Sequence, residues 1–140
     1  MDSASQVTFD VAACRAHLQA RQRQQFQVRE QRRQAALHAV RAAARSVLPH
    51  FPRVQRAYLF GSALRPGAMC ATSDVDVAVE GELNAEDYFA LWRELERVAA
   101  GWLIDVVELN RNVHFAARVR EQGELIYERS DSNLEGGHHG

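Results

Sequence analysis

The chain has 140 residues, 46% of them hydrophobic and 25% charged, which is typical of one globular domain and leaves no room for a second full domain. All 17 basic residues are arginines, so any function that needs a catalytic lysine, including a P-loop, is excluded. Two cysteines are too few for a disulfide framework, and no signal peptide or membrane-spanning apolar run is present, so we expect a cytoplasmic protein without a membrane partner.

The N-terminal part of the chain is basic and predicts a long helix. Residues 1–58 carry ten arginines against three acidic residues, whereas residues 59–140 carry seven arginines against fifteen. Residues 9–48 contain no glycine or proline and are rich in alanine, glutamine and arginine, so we expect one helix, or two with a break in the glutamine-rich part. Asp10 is suited to cap its start. Residues 1–50 are therefore predicted to form an N-terminal helical extension.

Residues 19–34 of this helix are almost wholly polar. A solvated helix face is the commonest cause of such a pattern. A surface for a partner, or pairing with the acidic half of the chain, would also explain it. Direct binding of nucleic acid is disfavoured, because Phe26 is the only aromatic residue in this stretch and the formal net charge of the chain is only -1.

The rest of the chain predicts a small sheet with helices. Residues 54–60 predict a strand that closes on Gly61, and residues 73–80 predict a second strand with regularly alternating valines. We expect an α+β fold over residues 51–129, with a small mixed sheet and helices on one side, and a disordered tail over residues 130–140. The further predicted elements are a helix over 85–100 capped by Asn84, a strand over 102–109, a helix over 113–121 and a strand over 125–128.

Three carboxylates are the candidate metal ligands. The i, i+2 spacing of Asp74 and Asp76 places both side chains on one face of the second strand. Two like charges at this distance are unfavourable unless a cation binds them, and Mg²⁺ prefers a few carboxylates together with substrate phosphates. Asp105 stands alone inside an apolar strand, where an unpaired charge is costly, so it is the natural third ligand.

Each of these features has an ordinary structural explanation when it is taken alone. An Asp-x-Asp pair can lie on the solvent face of a sheet, Asp105 can pair with an arginine, and the pair Gly61 and Ser62 can be a simple turn. All three features in this order, across strand, loop, strand, helix and strand, form a much rarer coincidence. The combination favours a nucleotide and metal site.

The chain resembles the minimal nucleotidyltransferases of the DNA polymerase beta superfamily. The resemblance covers residues 54–128, and it implies the nucleotidyltransferase fold of that superfamily. It is carried by four stretches, YLFGS at 58–62, SDVDVAV at 73–79, IDVV at 104–107 and REQGELIY at 120–127.

The resemblance also implies a metal-dependent reaction with ATP as the donor. Asp74 and Asp76 would hold two Mg²⁺ ions. Asp105 would help the second ion to activate an acceptor hydroxyl, or would take the hydroxyl proton as general base. In-line attack on the α-phosphorus would then expel pyrophosphate.

The loop after the first strand is the implied nucleotide-binding loop. Gly61 would let the phosphates approach the backbone, and the Ser62 hydroxyl and the Arg65 guanidinium would bind them. The family loop usually runs Gly-Ser, two residues, Arg-Gly. Here Pro66 is inserted between Arg65 and Gly67.

Family members of this size resemble antitoxins encoded beside a helical HEPN toxin, and some of them transfer AMP to a tyrosine of that toxin. The resemblance therefore implies a protein adenylyltransferase that acts on a HEPN-type partner, since the chain has no room for an acceptor domain. Two alternatives stay open. The protein could neutralise its partner by contact alone, or it could be a small-molecule nucleotidyltransferase that forms a homo-oligomer to build its acceptor pocket.

Overall fold

The N-terminal segment forms one uninterrupted helix, α1 (Val11–Val47), of 37 residues. It is seen in a computed structural model that describes residues 10–70 and 72–130, so the N-terminal end of the predicted extension and most of the predicted tail lie outside the described residues. The predicted cap is confirmed, because the Asp10 side chain accepts a hydrogen bond from the backbone N–H of Ala13. The glutamine-rich part contains no break, since its residues are good helix formers.

Four strands form a mixed sheet in the order β3-β2-β1-β4. Strand β1 is antiparallel to both β2 and β4, whereas β2 and β3 are parallel and are joined by the crossover helix α2. The predicted α+β class with a small mixed sheet is confirmed. The elements are β1 (Val54–Phe60), β2 (Val75–Gly81), α2 (Ala85–Val98), β3 (Ile104–Glu108), α3 (Val113–Gln122) and β4 (Glu124–Glu128).

One face of the sheet packs against α1 and α2. The three valines of β2 lie in the same buried cluster as residues from the last third of α1, between Ala36 and Val47, and as Leu91 and Leu95 of α2. Several of the buried α1 residues are alanines, which allow the helix to lie close to the sheet. The C-terminal third of α1 therefore belongs to the core of the sheet, whereas residues 11–28 are almost entirely exposed.

The opposite face of the sheet carries the short helix α3. Ala116 and Val119 of α3 are buried against Tyr58 and Ala78, which alternate with the inward-facing residues of β1 and β2. The expected layer of helices on one side is thus formed by α1 and α2, and α3 covers part of the other side. Within the described residues, no helix is both long enough and apolar enough to cross a membrane.

Candidate active site

Asp76 and Asp105 are register partners on the adjacent parallel strands β2 and β3. Partnered residues of neighbouring strands lie on the same face, about 4.8 Å apart in the hydrogen-bonding direction. Both are partly buried, whereas Asp74 is exposed and lies just before β2, which begins at Val75. The sheet therefore brings Asp76 and Asp105 together, whereas Asp74 lies just before the first residue of β2.

The pKa of the Asp76 carboxyl is raised above its ordinary value. The largest cause is burial, followed by the negative charges of Asp105 and Asp74. The three carboxylates are thus close enough for the charges of Asp105 and Asp74 to affect the pKa of Asp76. A cation bound between them would remove this repulsion.

The donor atoms fit Mg²⁺, although a closed metal cage is not formed. In residues 10–70 and 72–130, no group of three or more His, Cys, Asp or Glu residues converges on a single ion position. Mg²⁺ usually takes one or two protein carboxylates together with phosphate oxygens and water. The partnered Asp76 and Asp105 therefore suit an ion that arrives with a nucleotide better than a permanently bound structural ion.

Three side chains of α2 form hydrogen bonds with the outer edge of β3, the strand that carries Asp105. The Tyr88 hydroxyl donates to the Val106 carbonyl, and the Trp92 indole N–H donates to the Ile104 carbonyl at 2.7 Å. A Glu96 carboxylate oxygen accepts from the Ile104 N–H at 2.9 Å. These α2 residues recur every four positions, so one helix face satisfies the backbone groups that an edge strand leaves unpaired.

Gly61 brings the backbone directly against Asp76. It follows the last residue of β1 and has a φ of 77°, a conformation that favours glycine. A Cβ at this position would lie 2.4 Å from Asp76 Oδ2, so no larger residue fits without displacing the carboxylate. Ser62 follows in the 3₁₀ turn Gly61–Leu64.

A cleft of about 460 Å³ opens between the end of β1 and α3. Arg65, predicted from the sequence, lines it, whereas Ser62 is not among its lining residues. Arg118 lines it too and was not predicted. Two guanidinium groups at one cleft are suited to phosphate oxygens. The lining residues are Phe60, Gly61, Leu64, Arg65, Phe115, Arg118, Val119, Gln122 and Gly123.

A sequence signal for Arg118 exists but is incomplete. Phe115, Arg118 and Gln122 recur at three- and four-residue steps, so they share one face of α3. The pattern does not indicate that this face borders Gly61, which depends on the packing of α3 on the sheet. A larger cleft of about 660 Å³, between Arg21 and Cys70, lies along α1 and does not include the carboxylates.

A family model for polymerase beta nucleotidyltransferases matches residues 43–132. None of the curated proteins compared with the chain matches it. Among solved structures, a toxin–antitoxin structure with AMP-PNP has a TM-score of 0.52 and 23% identity, covering 67% of this chain and 77% of that one.

Two further solved structures have lower structural similarity. A tri-AMPylated Shewanella oneidensis HEPN toxin in complex with MNT antitoxin has a TM-score of 0.48 and 22% identity, with 71% and 77% of the two chains covered. The toxin–antitoxin pair MntA–HepT has a TM-score of 0.47 and 22% identity, with 68% and 75% covered.

Because the family model spans well over half of the chain, this protein belongs to the polymerase beta nucleotidyltransferase family. The sheet order, the crossover helix and the solved structure with a TM-score of 0.52 agree with that fold. The predicted resemblance to the minimal nucleotidyltransferases is confirmed.

Proposed function

We propose that this protein is a metal-dependent nucleotidyltransferase that moves AMP from ATP to a hydroxyl group on a partner protein. The observation that carries the proposal is the pairing of Asp76 with Asp105 beside Gly61. Gly61 in turn lines a cleft that contains Arg65 and Arg118, although none of the three carboxylates lines it. Carboxylates for a divalent ion and guanidinium groups for phosphates are the two requirements of a triphosphate site.

The residues present have distinct roles in this reaction. Asp74, Asp76 and Asp105 would hold Mg²⁺, which supplies charge neutralisation for the triphosphate and acidifies the acceptor hydroxyl when bound. Asp105 takes the proton of that hydroxyl, and the hydroxyl oxygen of the acceptor then attacks the α-phosphorus. The bond from the α-phosphorus to the bridging oxygen breaks, and pyrophosphate leaves with Arg65 and Arg118 neutralising its charge.

The proposed nucleotide donor and the proposed acceptor are supported by different observations. Adenine nucleotide is the first donor to test, because the toxin–antitoxin structure with a TM-score of 0.52 is one with AMP-PNP. A protein acceptor is favoured because Asp74 is exposed, so a hydroxyl carried by a large partner can reach the carboxylates. A HEPN-type toxin encoded next to this chain is the partner we propose, and the protein would then act as its antitoxin.

The test is transfer of label from α-³²P-ATP to the neighbouring gene product in the presence of Mg²⁺. Label should appear on the partner with the unchanged protein and should be lost with Asp76→Asn. Glu86→Gln, which removes one exposed carboxylate from the first turn of α2, is the matched control and should retain activity. Absence of label from every tested partner protein would overturn the proposal.

The same variants separate catalysis from neutralisation by contact. If the partner is inhibited by transfer, Asp76→Asn should release it while leaving the two proteins associated. Inhibition that survives Asp76→Asn would assign the antitoxin effect to contact alone. Label that appears on a small molecule but not on protein would instead assign the site to a small-molecule acceptor.

A further inference from the structure

The polar middle of α1 lies against the loop that joins β1 to β2. Arg29 Nε donates to the Gly67 carbonyl at 2.7 Å, and Arg33 Nη1 donates to the Ala63 carbonyl at 2.9 Å. The Gly67 N–H donates to Glu30 Oε1 at 2.8 Å. Both ends of the segment from Ala63 to Gly67 are therefore attached to one turn of the helix.

Glu30 organises this contact because its carboxylate is saturated with donors. Besides the Gly67 N–H, it accepts from Arg33 Nε at 2.9 Å, from Arg33 Nη2 at 2.7 Å and from Gln34 Nε2 at 2.9 Å. These hydrogen bonds, those of Arg33 first, lower the pKa of Glu30 to about 2, so it stays ionised throughout the physiological range. The ionised carboxylate in turn holds the Arg33 guanidinium, whose side chain is only 11% exposed, against the loop.

An aromatic ring completes the contact. Gly67 has a φ of 73°, and a Cβ at this position would lie 2.3 Å from Cε2 of Phe26. The ring of Phe26 therefore lies directly on the Gly67 backbone. This accounts for the one aromatic residue in an otherwise polar stretch of helix.

We propose that Phe26, Arg29, Glu30 and Arg33, which we name the loop clamp, position Arg65 for the triphosphate. The inference rests on the proposed function, because it assigns a positioning role within the same nucleotide site. Arg65 is exposed and lies between the two anchored residues, Ala63 and Gly67. A loop ordered before binding avoids the entropy cost of ordering it when phosphate arrives.

The loop clamp also gives the inserted Pro66 a structural context. Arg65 N–H donates to the Ser62 carbonyl and Ala68 N–H donates to the Arg65 carbonyl, so one tight turn precedes the insertion and a second one contains it. The clamp holds the second turn at Gly67, the residue after Pro66. All four clamp residues precede residue 43, where the match to the family model begins, so they are a feature of the N-terminal helix of this chain.

The test uses Glu30→Gln, with Glu94→Gln as the matched control. Glu94 also pairs with an arginine three residues away, Arg97, but on the exposed surface of α2. We expect Glu30→Gln to accelerate hydrogen exchange of the Gly67 amide by at least about tenfold, since its charged acceptor is lost. The affinity for Mg-ATP should fall by about tenfold, with turnover at saturating ATP changed by less than about twofold. Glu94→Gln should change none of these.

These measurements distinguish failure of the loop clamp from failure of the proposed function. Unchanged exchange at Gly67 in Glu30→Gln would overturn the loop clamp. Faster exchange with unchanged affinity for Mg-ATP would overturn its role in positioning Arg65. If the unchanged protein binds no Mg-ATP while exchange still responds to Glu30→Gln, the proposed function fails, and the contact is structural only. Arg33→Lys, which keeps the charge but cannot reach Glu30 and Ala63 together, should behave as Glu30→Gln does.

Discussion

Gly61 and Asp76 are packed so closely that a Cβ on the glycine would lie 2.4 Å from Oδ2 of the aspartate. The carboxylate therefore rests directly on the backbone at the point where β1 ends. Because Phe60 is the register partner of Asp76, the sheet itself sets this contact. The end of β1 and the face of β2 that carries Asp76 are therefore packed directly against each other.

Gly61→Ala should impair both stability and activity. The positive φ alone costs roughly 1–2 kcal/mol for a residue with a Cβ. Displacement of Asp76 should lower nucleotidyl transfer by about a hundredfold, because small misplacements of reacting groups are costly. Gly101→Ala is the matched control, since Gly101 has a φ of 93° but open space around a Cβ. Equal activity losses in the two variants would show that the Asp76 contact has no role.

Asp105→Asn should stabilise the metal-free protein while abolishing activity. A raised Asp76 pKa means that its contribution to stability is full below the ordinary value of 3.8 and is lost as pH rises through the folded-state value. Removing the facing charge should reduce that loss, raising the free energy of unfolding at neutral pH by up to about 1 kcal/mol. Transfer activity should fall at least about a hundredfold.

Denaturant unfolding at pH 3 and pH 7 measures this effect, with Glu108→Gln as the control on the same strand. The advantage of Asp105→Asn should shrink at pH 3, where Asp76 is largely protonated in both proteins. Addition of Mg²⁺ should stabilise the unchanged protein more than the variant. An Asp105→Asn variant that is less stable at pH 7 would contradict the repulsion between the paired carboxylates.

Arg118→Met should weaken nucleotide binding. Arg118 lines the cleft beside Gly61, and the variant would lose the charged contact that we propose it makes with phosphate. We expect the Kd for Mg-ATP to rise by about tenfold, with little change in thermal stability because Arg118 is exposed. Isothermal titration measures the affinity. Arg93→Met, on the exposed surface of α2, is the control, and an equal loss in both would point to general charge effects.

Trp92→Phe should loosen the edge strand that carries Asp105. The substitution leaves the Ile104 carbonyl without its indole donor, which should lower the free energy of unfolding by about 1–3 kcal/mol. Transfer activity should fall further than this destabilisation explains, when measured well below the melting temperature. Trp102→Phe, at a residue whose ring contacts Arg32, is the control. Full activity in Trp92→Phe would show that the position of Asp105 does not depend on the Trp92 hydrogen bond.

Much of the fold could be predicted because its signals are local. The alternating valines of β2 and the caps Asp10 and Asn84 are patterns within a few residues, and the structure reproduces each of them. Strand β1 has the predicted bounds, and β2 begins two residues later than predicted because the residues before Val75 do not pair in the sheet. Such local features depend on backbone geometry and side-chain alternation, which a sequence displays directly.

The sequence by itself determined the candidate carboxylates, since Asp74, Asp76 and Asp105 are recognisable from spacing and from the cost of an isolated charge in a strand. Only the tertiary structure decided which groups meet. The pairing of Asp76 with Asp105 requires the register of two strands joined by a whole helix, and Arg118 joins the site only because α3 packs beside Gly61. The polar stretch of α1 likewise contacts a loop that lies thirty or more residues away in the sequence. Contacts of this kind arise from packing between distant segments, and no local pattern records them.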